Sequence, residues 1–181
     1  MLTPLPVSFN RFFLIKSYTE EDVHKAIKYG IWSSTQKGNE ILDAAYRDIE
    51  EVRLENPDVM ADVYLFFSVN KSKHFCGVCK MKSPVKHNKE RNDLWKQSGK
   101  WPGQIEIEWL HVKDIPNHQF IHIENPLNEN KPACQGRDCT EYYPKTGEKM
   151  LLMFTNFKAA TQLIDDFKFY DEQEKLRKLK G

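Results

Sequence analysis

The sequence predicts a mixed α/β fold, a sheet or small barrel flanked by helices. Short apolar runs of strand type alternate with capped helical patterns, without a regular βαβ rhythm. The 181 residues fit one domain with a real core, and apolar and charged fractions are those of a globular chain.

Arg11–Lys16 is the first strand-type run. Thr19 then opens Thr-Glu-Glu-Asp, a capping box with acids in the first turn, so a helix should run to about Lys28. Ile31–Ser34 reads as a second short strand. Gln36 to about Glu51 reads as a helix, with Ile41, Leu42, Ala45 and Ile49 at helical spacing. Asn56-Pro57-Asp58 breaks it. Val63–Val69 and His74–Lys82 are separated by Asn70-Lys71-Ser72 and should pair as a hairpin. From Ile105 the pattern alternates cleanly, with Ile105, Ile107 and Trp109 on one face, which makes Trp109 a core residue. Asn125–Lys149 is polar and rich in turn formers. Met150–Phe169 suits one amphipathic helix through Leu152, Phe157, Ala160, Leu163, Ile164 and Phe167. The boundaries expected are a tail over 1–10, a domain over 11–170 and a charged helical extension over 171–181. The opening Met1-Leu-Thr-Pro-Leu-Pro reads as a tail or a domain boundary.

Lys71–Lys100 holds nine Lys or Arg against two acids, a formal +7 inside a chain of net +1. Trp95 lies within this module and Trp101 just beyond it. Positive charge attracts phosphate and a flat ring stacks on a base, a pairing that points to single-stranded nucleic acid. A solvated Lys-rich loop with two core tryptophans is the bland counterpart. The loop from about Ser83 to Gly103 is far longer than most connections, a length typical of functional or disordered segments. Trp32 stands at the end of a short strand, before the polar Ser33-Ser34-Thr35.

Catalytic and metal motifs are missing: there is no G-x-S-x-G, H-E-x-x-H, Walker loop or G-x-G-x-x-G. Cys76 and Cys79 form a C-x-x-C, but on a strand residues three apart point to opposite faces and cannot share one ion. Free thiols in a reducing compartment are therefore expected, with no metal and no cofactor. No apolar run approaches the ~20 residues of a membrane span, and no signal-peptide pattern opens the chain. On these grounds a single-stranded nucleic-acid binder, a hydrolase or nuclease whose carboxylates or histidine converge from distant positions, and a protein-interaction module stay open.

Phe12–Tyr18, Ile31-Trp-Ser-Ser-Thr35, Leu42-Asp-Ala-Ala-Tyr46 and Val63–Asn70 resemble the YTH domain family. His74–Val78, Val112–Asn117, Asn128–Pro132 and Arg137-Asp138 continue the likeness, which covers about residues 11–170. The wording is nearer the cytoplasmic reader branch than the nuclear one. The resemblance implies an open β-barrel-like mixed sheet of about six strands packed by three to five α-helices. It implies a monomer, cytoplasmic or nuclear, that binds N6-methyladenosine in single-stranded RNA without catalysis. mRNA-decay or translation proteins would be engaged through segments outside this chain, and the alternatives to this reading are a modification-independent single-stranded RNA binder and an enzyme acting on modified RNA.

Residue by residue, the resemblance makes Trp32, Trp95 and Trp101 the cage around the methylated base. The Ser33 carbonyl would accept the remaining N6 hydrogen. The Tyr18 main-chain N–H and the Asp22 side chain would meet the ring edge, with Asn70 nearby. Lys16 and Arg137 would contact phosphates, with Asp138 orienting nearby groups. Two departures stand out: Glu40 follows Gly38-Asn39 where close relatives commonly carry a basic residue, and the loop Ile49–Asp62 is longer.

Adenine ring nitrogens are acceptors, and an ionised carboxylate only accepts. Asp22→Asn, which adds a donor at similar size, should therefore tighten binding to methylated RNA in a titration. Weaker binding by a folded variant would contradict that orientation of Asp22.

Overall fold

A computed structural model describes residues 8–87, 95 and 103–180. Its frame is an open sheet of six strands in the order β2-β5-β4-β3-β1-β8. The strands are β1 Arg11–Ser17, β2 Ile31–Trp32, β3 Val63–Val69, β4 His74–Met81, β5 Ile105–Pro116 and β8 Glu141–Tyr142. Two-residue strands β6 (Glu124–Asn125) and β7 (Lys131–Pro132) form a separate pair. Four helices pack on this frame: α1 Glu20–Tyr29, α2 Gln36–Glu55, α3 Pro144–Asn156 and α4 Phe167–Lys180. This is the mixed, half-barrel architecture expected from the sequence.

β1 and β3 run parallel, from Arg11↔Val63 to Ser17↔Val69, whereas the other sheet pairs are antiparallel. Residues 12–15 of β1 and 63–68 of β3 are all buried, because a central pair covered on both sides needs apolar residues at every position. Alternation then sorts the side chains. Phe13, Ile15, Leu65 and Phe67 join Val23 and Ala26 of α1 and Leu42, Ala45 and Ile49 of α2 in one cluster. Phe12, Leu14, Tyr64 and Phe66 join Phe120, Tyr142, Met150 and Phe154 in the other. Trp109 is half-buried against the first cluster, at the edge of the core, and its indole N–H donates to the Ala26 carbonyl at 3.1 Å.

Helix boundaries follow local chemistry. The Thr19 hydroxyl accepts from the Asp22 N–H at 3.1 Å, and Gly30 at φ 66° closes α1 by donating to Ala26. Thr35 caps α2 through the Gly38 N–H at 3.1 Å. Much of the long Ile49–Asp62 segment is helix rather than loop, since α2 continues to Glu55. The Arg53 guanidinium then fastens the return to the Ala61 carbonyl and the Asp62 carboxylate.

Three expectations are corrected. The single helix over Met150–Phe169 is two helices. α3 begins earlier, at Pro144, and ends at Asn156; a 3₁₀ turn at Leu163–Asp166 leads into α4. The break is tertiary: β5 captures the linker, with the Asp114 N–H donating to the Thr161 carbonyl at 3.0 Å and Lys113 donating to the Phe157 carbonyl at 3.0 Å. The turn-rich stretch 125–149 holds β7, β8 and the first turns of α3. Finally, register shifts around Phe75–Gly77 and Val78–Cys79 bulge the β4–β5 pairing. Cys76 and Cys79 consequently share the first cluster instead of opposite faces. Burial pushes both thiols up, and no group of three metal-ligating side chains occurs among the described residues.

α4 lies along α1 through paired charges. Lys28 reaches Asp171 at 2.8 Å and Glu174 at 3.2 Å, and Arg177 reaches Glu21 at 2.8 Å. The Tyr29 hydroxyl also donates to Glu174 at 2.8 Å. No helix among the described residues is long and apolar enough to cross a membrane.

On the other face, Gly147 of α3 sits where a Cβ would run into the ring of Phe12. Gly147→Ala should destabilise by about 1–3 kcal/mol through overpacking, lowering the melting temperature by roughly 3–10 °C. An unchanged melt would contradict the seating of α3 on β1.

Candidate nucleic-acid interface

A pocket of about 330 Å³ opens at the carboxyl ends of the parallel strands β1 and β3. β1 brings Lys16 and leads into Tyr18, α1 brings Asp22, and β2 brings Trp32 followed by Ser33 and Ser34. The end of β3 brings Asn70, and the loop before β8 brings Gly136, Arg137 and Asp138. Trp95 completes the described lining. Nine of the ten residues singled out from the sequence therefore meet in one place. Trp101 lies outside the described residues.

The two tryptophans form a corner. Their ring centroids are 5.3 Å apart and their planes are inclined by 71°. Phe67 stands behind Trp32 edge-on, 4.8 Å away at 79°, which fixes the indole against the core. Trp32 is only 5% exposed and Trp95 only 3%, so little of either ring is open to water. A planar ligand lying flat on one ring would direct its edge at the other.

Asp138 stitches three segments together. One carboxylate oxygen accepts from the Lys16 N–H at 2.9 Å and the other from the Ser34 hydroxyl at 2.6 Å. Asn39 on α2 adds a second tie, accepting from the Ser34 N–H at 2.8 Å and donating to the Ser33 hydroxyl at 3.3 Å. The segment after Trp32 is thereby held from two sides. Gly38 makes the approach feasible, because a Cβ there would collide with the Ser34 side chain and meet Cys139 Sγ at 2.9 Å. Sequence reasoning noted Gly38-Asn39 only for the residue that follows it and did not single out Ser34 or Asn39. Their polar character just before and inside a capped helix was the available signal.

The remaining residues differ in exposure. Asp22 is buried, while Tyr18, 51% exposed, stands at the mouth. The Asn70 N–H donates to the Ser17 carbonyl at 2.8 Å, so this wall is tied to β1. Lys16 is half-buried with its ammonium 3.2 Å from the Ser68 hydroxyl, and burial lowers its pKa. Arg137 is exposed on the opposite rim. Burial raises the Asp138 pKa, with the hydrogen bonds from Ser34 and Lys16 only partly opposing it.

Because its folded pKa is raised, Asp138 favours the fold most below the unfolded carboxyl pKa, and that contribution is lost as pH rises through the folded pKa. Asp138→Asn keeps both hydrogen bonds, as the amide oxygen accepts from Lys16 and the amide nitrogen donates to Ser34. Urea melts should show the variant gaining on the wild type between pH 3 and pH 7. A stability difference that does not change with pH would contradict the buried carboxylate. Asp138→Ala, which leaves both donors unmet, should cost about 2–3 kcal/mol.

Comparison with known proteins places this geometry. Residues 10–155 match the YT521-B-like domain family, abbreviated YTH. The chain is 43% identical over 164 residues to YTH domain-containing family protein 3 of Homo sapiens, covering 91% of this chain and 26% of that protein. It is equally 43% identical over 164 residues to YTH domain-containing family protein 2 of Danio rerio, covering 91% of this chain and 25% of that protein. It thus spans about a quarter of the length of these curated relatives. Among solved structures, the YTH domain of Zygosaccharomyces rouxii MRB1, crystallised with N6-methyladenosine RNA, superposes with a TM-score of 0.72 at 30% identity. That match covers 88% of this chain and 97% of the other. Sequence and fold agree, and the chain belongs to the YTH domain family.

Proposed function

We propose that this domain binds N6-methyladenosine in single-stranded RNA, with the methylated base in the pocket at the ends of β1 and β3. The observation that carries the reading is the corner made by Trp32 and Trp95 beneath a rim bearing Lys16 and Arg137. In this reading the base stacks on Trp32 and its methyl group faces Trp95. A ring opposite Trp32 would complete the enclosure, the role expected of Trp101. The Ser33 carbonyl, Tyr18, Asp22 and Asn70 would meet the polar edge of the base, and Lys16 and Arg137 the phosphates on either side.

The methylated base is neutral, so selectivity comes from burial and hydrogen-bond accounting rather than a cation–π trap. One buried methyl contributes about 0.8 kcal/mol. Unmethylated adenine would present a second N–H to an apolar wall, which costs roughly 1–3 kcal/mol. Together these amount to about 2–4 kcal/mol, or tens- to several-hundred-fold. Entry requires the base to leave its stack, which favours single-stranded targets.

The pocket is read as a binding site rather than a reaction centre. Ser34 and Asp138 in its lining, with Asn39 behind them, are engaged in hydrogen bonds that tie β1, the segment after Trp32, α2 and the loop before β8 together, a holding role. Cytoplasmic placement and partners engaged by a longer protein belong to the same proposal, supported by the family relationship.

Calorimetric titration with two short RNAs differing in one N6-methyl group tests it. A preference of tenfold or more for the methylated RNA is expected, with Trp32→Ala and Trp95→Ala each removing that preference while the protein stays folded. Equal affinity for the two RNAs in the wild type would overturn the reading, and so would an undiminished preference after both substitutions.

A further inference from the structure

We propose that the tip of the β3–β4 hairpin, Lys71 and Lys73, holds the RNA backbone where the strand leaves the pocket. This phosphate-contact surface is distinct from Lys16 and Arg137, and its assignment to RNA rests on the reading of the pocket given above.

Charge bookkeeping singles out these two lysines. Of the five described lysines of the basic stretch, Lys80, Lys82 and Lys86 lie 3.7, 3.3 and 2.8 Å from carboxylates of Asp62, Glu108 and Glu106. Three of the five described lysines are therefore matched by neighbouring acids. Lys71 and Lys73 are exposed and form no ion pair among the described residues.

The backbone supplies an independent argument. Lys71 has φ 67° and Lys73 φ 64°, the left-handed region in which glycine is unstrained and a Cβ is not. The tip is also fixed in place. The Ser72 N–H donates to the Val69 carbonyl at 3.1 Å, and the Lys73 carbonyl accepts from the Asn117 N–H at 2.9 Å. Two long cationic side chains thus occupy strained positions in an anchored turn, where glycine would satisfy the fold better. Strain of this kind is retained where the side chain has a use.

Position supplies the third. Lys71 follows directly on Asn70, which lines the pocket and is bonded to Ser17. Across the sheet edge the order is β8, β1, β3: Arg137 precedes β8, Lys16 lies on β1, and the hairpin tip follows β3. Adjacent strands are about 4.8 Å apart. A nucleic-acid strand whose base occupies the pocket would then meet cations on both flanks. A lysine ammonium is a point charge without the fork geometry that reads base edges, so this surface adds affinity without base selectivity.

The test is Lys71→Gly/Lys73→Gly, with Lys71→Gln/Lys73→Gln as a variant that keeps side-chain bulk. The glycine variant should melt at or above the wild-type temperature while binding single-stranded RNA roughly tenfold more weakly at low salt. The slope of log affinity against log salt should become shallower by about 0.7 for each phosphate that is no longer neutralised. Methylated and unmethylated RNA should weaken equally, and the deficit should vanish on RNA shortened from one side of the methylated base only. Wild-type affinity and salt slope in both variants would overturn the proposal and indicate another, non-RNA partner for the tip. Selective loss of methyl preference would also overturn it, because the lysines would then be shaping the pocket. If the wild type shows no methyl preference yet the variants still lose salt-dependent binding, the base-reading assignment fails and the backbone surface stands.

Discussion

The parallel pairing of β1 with β3 organises the rest of the molecule. Parallel neighbours cannot be joined by a tight turn, so the chain must leave the sheet after Ser17 and return at Val63. That excursion contains α1, β2 and α2, and with them Tyr18, Asp22, Trp32, Ser33, Ser34 and Asn39. The same pairing aligns the carboxyl ends of both strands, so that Lys16 and Asn70 both line the opening and the Asn70 N–H bonds to the Ser17 carbonyl. The crossover therefore covers one face of the sheet while carrying one wall of the pocket. Close packing on both faces, with Phe13 and Ile15 in one cluster and Phe12 and Leu14 in the other, holds this pair in place.

A second level of order comes from a carboxylate with few alternatives. Asp138 lies where burial raises its pKa, yet it accepts from the β1 backbone and from Ser34 at once. Part of the cost of desolvating it is offset by the bonds that join the loop before β8, the end of β1 and the segment after Trp32. Asn39 repeats the tie from α2 with uncharged groups. The corner of the two indoles keeps its shape only while the backbone beside Trp32 is held, which these bonds do.

α4 adds support from outside the matched region of residues 10–155. It braces α1 with Lys28, Glu21 and Tyr29 contacts, and His24 lies buried beneath it against Phe167. Because α1 carries Asp22 near one end and delivers the chain to Trp32 at the other, anything that steadies this helix steadies two sides of the pocket. The charges are spent differently across the surface. Lys82 and Lys86 are paired with acids of β5, while Lys71 and Lys73 at the hairpin tip form no ion pair among the described residues.

Much of the frame was legible in the amino-acid order because its signals are local. The Thr19 and Thr35 caps, the apolar run of β3 and the alternation of Ile105, Ile107 and Trp109 are set by neighbours within a turn or a pleat. The family motifs likewise named nine residues that meet in the pocket. What the tertiary structure decided involves partners distant in sequence. Asp114 and Lys113 pull the Phe157–Thr161 linker flat and divide an apparently continuous helix. Bulges against β5 turn Cys76 and Cys79 into one cluster, against the period-two rule. Acids on β5 and Asp62 take up cations that composition alone counts as available. Periodicity and capping report the preferences of a segment, but pairing of charges, bulges and captured linkers depends on what the fold sets beside it.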